Sequence, residues 1–157
     1  MNATDDAATE PTEPTGGTGL GHREISMQRT ALGAYLVTNI RGGQITIGGG
    51  DSADFTPVEL LLTAIAGCSA VDVDHLTSRR AEPESFTVSA AGTKTKDDGG
   101  GNVLADIEVT FTLRFPAGED GDKARAMVPR AIAASHDRLC TVSRTVQAGT
   151  PVEMRIG

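Results

Sequence analysis

Residues 56–76 read TPVELLLTAIAGCSAVDVDHL. Thr56 suits a helix N-cap, Pro57 the first helical position, and Glu59 falls three residues after the cap, a capping box with proline at its head. The paired cations Arg79 and Arg80 suit the far end, so the pattern predicts one helix from Pro57 to about Arg80. A helix lying on a single sheet needs only one apolar stripe. Here Leu60, Leu61, Leu62, Ala64, Ile65, Ala66, Ala70 and Val71 cover more than one face. Something must cover the other side, either a second sheet or another copy of the chain. The small residues Ala64, Gly67, Ser69 and Ala70 would let two such helices approach closely. A homodimer that sandwiches two helices between two sheets meets both demands.

Upstream of the helix the pattern is strand-like. EISMQRT alternates Ile25, Met27 and Arg29 with polar neighbours, and AYLVTNI and QITIG are separated by the turn signal Gly42-Gly43. Downstream, ESFTVSAAGTK and NVLADIEVTFTLRF flank the turn DDGGG, and Ile107, Val109, Phe111 and Leu113 alternate as one face of a half-buried antiparallel hairpin. EDGDKARAMVPRAIAASHDRLC reads as helical. Pro129 inside it removes a backbone donor and predicts a kink or two short helices. TVSRTVQAG is expected to form a short helical turn and a loop, and TPVEMRI a last strand. The fold class is α+β with an antiparallel sheet and a long buried central helix.

The chain has 157 residues, which suits one domain with one core. Four Phe, one Tyr and no Trp leave that core to aliphatic residues. Residues 1–22 are acidic and rich in Thr, Pro and Gly, which predicts a disordered tail ahead of a domain over 23–157. The tail lacks a basic start and an apolar segment, so it does not read as a secretory signal. The cytoplasm is then the expected compartment, where two cysteines act as thiols or a working redox pair rather than a permanent bridge. A formal net charge of −7 argues against nucleic acid and anionic membranes as partners. No uninterrupted apolar run reaches the ~18 residues of a membrane span.

The two cysteines lie in recognisable surroundings. PVELLLTAIAGCSAVDV, followed some way on by LCTVSRTV and then GTPVEM, resembles the OsmC/Ohr family of osmotically inducible and organic hydroperoxide resistance proteins. The resemblance covers roughly residues 29–156 and is nearest to the OsmC-like branch. It implies an intertwined homodimer in which two sheets wrap two central helices, with active sites at the dimer interface. It also implies a thiol peroxidase that prefers organic hydroperoxides and is recharged by an external dithiol, with no metal or organic cofactor. Cys68 matches the position that attacks the peroxide, and Cys140 the one that resolves the sulfenic acid into a disulfide.

An apolar pocket by itself raises a thiol pKa, so the attacking sulfur needs a stabilising partner. The resemblance implies an arginine from the early strands, held by a glutamate that directly follows the proline. That place is Val58 here. Glu59, nine residues before Cys68, falls about 180° around the helix from it and reads as a capping residue. Arg41 in TNIRGGQ is the candidate thiolate partner, with Arg29 and Arg144 as alternatives, each readable equally as a solvated surface cation. Asp72 and His75 share the face of Cys68. The carboxylate would oppose ionisation unless bonded elsewhere, and His75 is too far along the axis for direct contact.

Two other readings stay open. Cysteine is often a small buried hydrophobe, so the chain can be a non-catalytic dimer that binds a small apolar ligand, or a thiol redox sensor. His136 and Cys140 have helical ligand spacing but form one pair without a second, which is insufficient for zinc.

Overall fold

The computed structural model describes residues 19–157. Most of the acidic tail expected over 1–22 therefore lies outside the described residues. The order of elements is β1 (Ile25–Ala31), β2 (Ala34–Asn39), β3 (Gln44–Ile47), α1 (Pro57–Thr77), β4 (Ser85–Lys96), β5 (Asn102–Arg114), α2 (Glu119–Ala134), a π-helical turn (Ser135–Leu139) and α3 (Thr141–Ala148). This is α+β with antiparallel pairing and one long helix, as the residue pattern predicts. The chain divides into two compact units, the first ending at Pro57 and the second running from Val58 to Gly157.

The first unit is a three-stranded antiparallel sheet in the order β1-β2-β3. Its second turn is built by Asn39, whose Oδ1 accepts from the backbone N–H groups of Arg41 at 2.9 Å and Gly43 at 3.0 Å. Gly42 there has φ 82°, a conformation that disfavours any side chain.

In the second unit β4 and β5 pair as a long antiparallel hairpin. Ala91 pairs with Glu108 and Thr93 with Ala105, so Gly92 faces both Asp106 and Ile107, a bulge. Asp106 carries the φ of 52° that the extra residue requires. The bulge resets the alternation: the half-buried side chain is Leu104 before it and Ile107, Val109, Phe111 and Leu113 after it. Those four therefore present the apolar face expected of them. Phe86 of β4 meets Phe111 edge to face, with centroids 6.4 Å apart.

Helix α1 starts at Pro57 and ends at Thr77, three residues short of the expected end, with Arg80 in the following turn. Within this chain only Ile65, Val73 and Thr77 of its 21 residues are fully buried. Leu60, Leu61 and Leu62 are half-buried, and Ala64 and Val71 are exposed. The apolar second face is real, and this chain alone does not cover it. By length and composition α1 would also pass as a membrane span, with mean hydropathy 1.3. Its side chains bond to other elements of the second unit, which marks it as a core helix.

Three expectations are corrected. Pro129 does not divide α2, which runs unbroken to Ala134. The proline deprives only the Arg125 carbonyl of its partner, and Arg125 and Pro129 both lie on the exposed side. The irregularity comes later, at the π turn, where the Cys140 N–H bonds back to the Ser135 carbonyl at 2.9 Å. The last strand does not form either. Residues 150–157 have no ladder partner among the described residues, and an extended segment without one is not a strand. TVSRTVQA, expected as a brief turn, is instead the eight-residue α3, closed by Gly149 at φ 63°.

Candidate active site

Cys68 lies two thirds of the way along α1, and Cys140 is the residue that caps α3. The two thiols lie close enough for each to shift the other's ionisation. The pair expected from sequence therefore converges within the second unit. Cys140 is fully buried and Cys68 half-buried, and both are free thiols.

Two donors meet the sulfur of Cys140. Ser69 donates its hydroxyl from α1 at 3.4 Å and Ser143 its backbone N–H from the first turn of α3 at 3.4 Å. Burial alone pushes the Cys140 thiol up, but these bonds together outweigh it and hold the thiol below its ordinary value. The Cys68 thiol goes the other way. Burial pushes it up, a backbone bond from Val142 pulls against that, and Cys140 and the Asp72 charge add to the rise. Of the two thiols, Cys140 is the one that loses its proton more readily.

The arrangement follows from local sequence. Cys140 at the N-cap and Ser143 three residues on repeat the spacing by which a capping side chain accepts from the third helical N–H. The helix dipole adds to the same preference for an anion there. The π turn sets up the approach by placing Ser135 against α1, where its buried hydroxyl donates to Asp72 Oδ2 at 2.9 Å. Asp72 is thus bonded away from the thiol it neighbours in sequence. His75 is exposed.

A cavity of about 370 Å³ lies beside Ser69 and Ser143, the two residues bonded to Cys140. Ile107, Val109 and Phe111 of β5 form one wall, Ile65, Ile132 and Val146 close it, and Ser69 and Ser143 line it on the side of Cys140. Ser135, His136 and Gln147 supply its remaining polar edge. Its size and apolar walls suit a small organic molecule.

The groups hydrogen-bonded to the Cys140 sulfur are neutral: Ser69 and Ser143. Arg41 lies in the first unit, exposed in the β2–β3 turn, and Arg29 is an exposed residue of β1 paired with Tyr35. Arg144 directs its guanidinium to the carbonyl of Asp137. His136 bonds to Asp137 at 2.9 Å, and no cluster of three metal-ligating side chains occurs among the described residues. Sequence reasoning missed Ser69, Ser135 and the amides of Val142 and Ser143. The one available signal was the Cys-x-x-Ser spacing from residue 140 to 143, a capping pattern.

Comparison with known proteins agrees with this fold. The family model of OsmC-like proteins matches residues 48–155. The uncharacterized protein Rv2923c of Mycobacterium tuberculosis is 30% identical over 135 residues, spanning 85% of this chain and 95% of the relative. Among solved structures, a hypothetical protein from Aquifex aeolicus superposes with a TM-score of 0.66 at 22% identity, over 85% of this chain and 93% of that one. An OsmC-like protein from Mycoplasma pneumoniae gives 0.61 at 17%, over 79% and 86%. The organic hydroperoxide resistance protein OhrB of Bacillus subtilis gives 0.50 at 16%, over 78% and 88%. With a family match over most of its length, a helix-borne cysteine meeting a second one at a helix cap, and this fold, the chain belongs to the family of OsmC-like proteins.

Proposed function

We propose that this protein is a cysteine-based thiol peroxidase that reduces organic hydroperoxides to alcohols in defence against oxidative stress. The observation that carries the reading is the meeting of α1 and the head of α3, where Ser69, next to Cys68, donates to the sulfur of Cys140. Cys68, the more accessible sulfur, attacks the terminal oxygen of the hydroperoxide and becomes a sulfenic acid. Cys140 condenses with it, and an external dithiol reduces the resulting disulfide. Sulfur carries the electrons, so the reaction calls for no metal or organic cofactor. The apolar cavity suits the alkyl part of the substrate, and the structural likeness to OhrB, a protein named for hydroperoxide resistance, favours the same chemistry. The cation that the family resemblance sets beside the attacking thiolate is, on this reading, Arg41.

The working form is a homodimer in the cytoplasm, in which a second copy covers the exposed face of α1. Light scattering at micromolar concentration is expected to give twice the chain mass. The decisive assay is consumption of cumene hydroperoxide with dithiothreitol, which Cys68→Ser is expected to abolish. Equal turnover in that variant would leave the second reading, a dimer that binds an apolar ligand in the same cavity without turnover.

A further inference from the structure

Reduction of a hydroperoxide requires two proton movements that the two-cysteine scheme leaves unassigned: one away from the attacking thiol and one onto the departing alkoxide. Cys68 directly precedes Ser69, whose hydroxyl meets the Cys140 sulfur, so the two thiols lie together. The Cys140 sulfur accepts from both the Ser69 hydroxyl and the Ser143 amide, donors that favour its anion. Asp72, bonded to Ser135, His136, bonded to Asp137, and Arg144, on the Asp137 carbonyl, are the charged or titratable groups near the pair, and each is engaged elsewhere. Among the described residues, the Cys140 sulfur is thus the group beside Cys68 best furnished to take its proton.

We propose, on the basis of the peroxidase reading, that Cys140 is the general acid–base of the peroxide step as well as the resolving thiol. The Cys140 thiolate takes the Cys68 proton as the Cys68 sulfur attacks the terminal oxygen of ROOH. The O–O bond breaks, the Cys68 sulfur is oxidised to S–OH, and the leaving alkoxide receives that proton from Cys140 to give ROH. This returns Cys140 to the thiolate, the form needed for the next bond. It attacks the sulfenic sulfur, the S–S bond forms and hydroxide leaves, so that one ROOH, one thiol and one thiolate give ROH, a disulfide and hydroxide.

The test compares two reactions of Cys68 in the reduced protein. Sulfenic acid formation with cumene hydroperoxide in a single turnover needs a proton on the leaving group, whereas alkylation by iodoacetamide expels iodide and needs none. In Cys140→Ala the peroxide step at neutral pH is expected to slow by about 10²-fold, while alkylation of Cys68 is no slower, since an anionic neighbour has been removed. The wild-type peroxide rate is expected to reach a plateau at a pH below ordinary thiol ionisation, and the variant rate to keep rising until Cys68 itself ionises. Ser69→Ala, which keeps both cysteines and removes a donor to Cys140, is expected to move that plateau to higher pH. A wild-type peroxide rate in Cys140→Ala would leave Cys140 a resolving thiol only, and equal slowing of both reactions, the mark of a damaged pocket, overturns the assignment as well. Wild-type protein that alkylates normally but forms no sulfenic acid sinks the peroxidase reading first, and the proton role falls with it.

Discussion

Ser135 donates its hydroxyl to Asp72 Oδ2 at 2.9 Å across 63 positions of chain. The bond ties the π turn to α1 and occupies a carboxylate that stands one helical turn after Cys68. Burial is the main reason the Cys68 thiol sits high, and the Asp72 charge adds to it. Asp72→Asn keeps an acceptor for Ser135 and removes the charge, so the pH midpoint of Cys68 alkylation is expected to fall. Asp72→Leu leaves the buried Ser135 hydroxyl without its partner, an expected loss of about 1–3 kcal/mol, read as a lower urea midpoint. An unmoved Cys68 profile in the asparagine variant would show that this carboxylate does not act on the thiol.

The bulge in β5 rests on one residue. Asp106 has φ 52°, and the residues after it turn Ile107, Val109 and Phe111 toward the cavity. Asp106→Gly and Asp106→Asn are expected to fold normally, because both residues accept that backbone. Asp106→Val is expected to lose about 1–2 kcal/mol. Equal urea midpoints for the valine and asparagine variants would mean that the bulge relaxes at no cost.

The entry to α2 is closed to any side chain. A Cβ on buried Gly121 would stand 1.8 Å from the carbonyl oxygen of Pro116, a backbone atom that cannot swing away. In most exposed helix interiors alanine improves on glycine by up to about 1 kcal/mol. Here Gly121→Ala is expected to destabilise by about 2 kcal/mol or more, since the first turn must shift. A variant as stable as the parent would show that the chain from Pro116 to Glu119 repacks freely.

What could be read without coordinates follows the range of the physics involved. Period-two alternation announced β4 and β5, whose half-buried faces alternate, and it placed β1 to β3 as well, although β1 is exposed and β2 half-buried along their whole lengths. TPVEMRI alternates too, yet a strand is a pair property, and no segment among the described residues pairs with it. Pro129 was given too much weight, since its lost bond falls on an exposed side of α2. The excess apolar face of α1 was legible, and three buried residues in 21 confirm that this chain leaves it open. Cys68 and Cys140 were linked only through family resemblance. Their donors depend on where α3 begins against α1, a tertiary relation that residue spacing encodes only as the N-cap pattern.

The opposed shifts of the two thiols give stability a signed dependence on pH. Cys140 is held below its ordinary value, so the folded state releases that proton before the unfolded chain does. The unfolded state then binds more protons, and stability rises with pH between the folded and unfolded values. Cys68 is held above its ordinary value, so the unfolded chain ionises first and stability falls as pH climbs from the unfolded to the folded value. Reduced protein is therefore expected to gain stability on approaching the ordinary thiol range and to lose it beyond. Because Lys and Tyr groups also titrate at high pH, the comparison is between variants: Cys140→Ser is expected to remove the rising limb and Cys68→Ser the falling one. Urea midpoints of the three reduced proteins across mildly alkaline pH measure both limbs, and parallel curves would show that neither thiol titrates differently on folding.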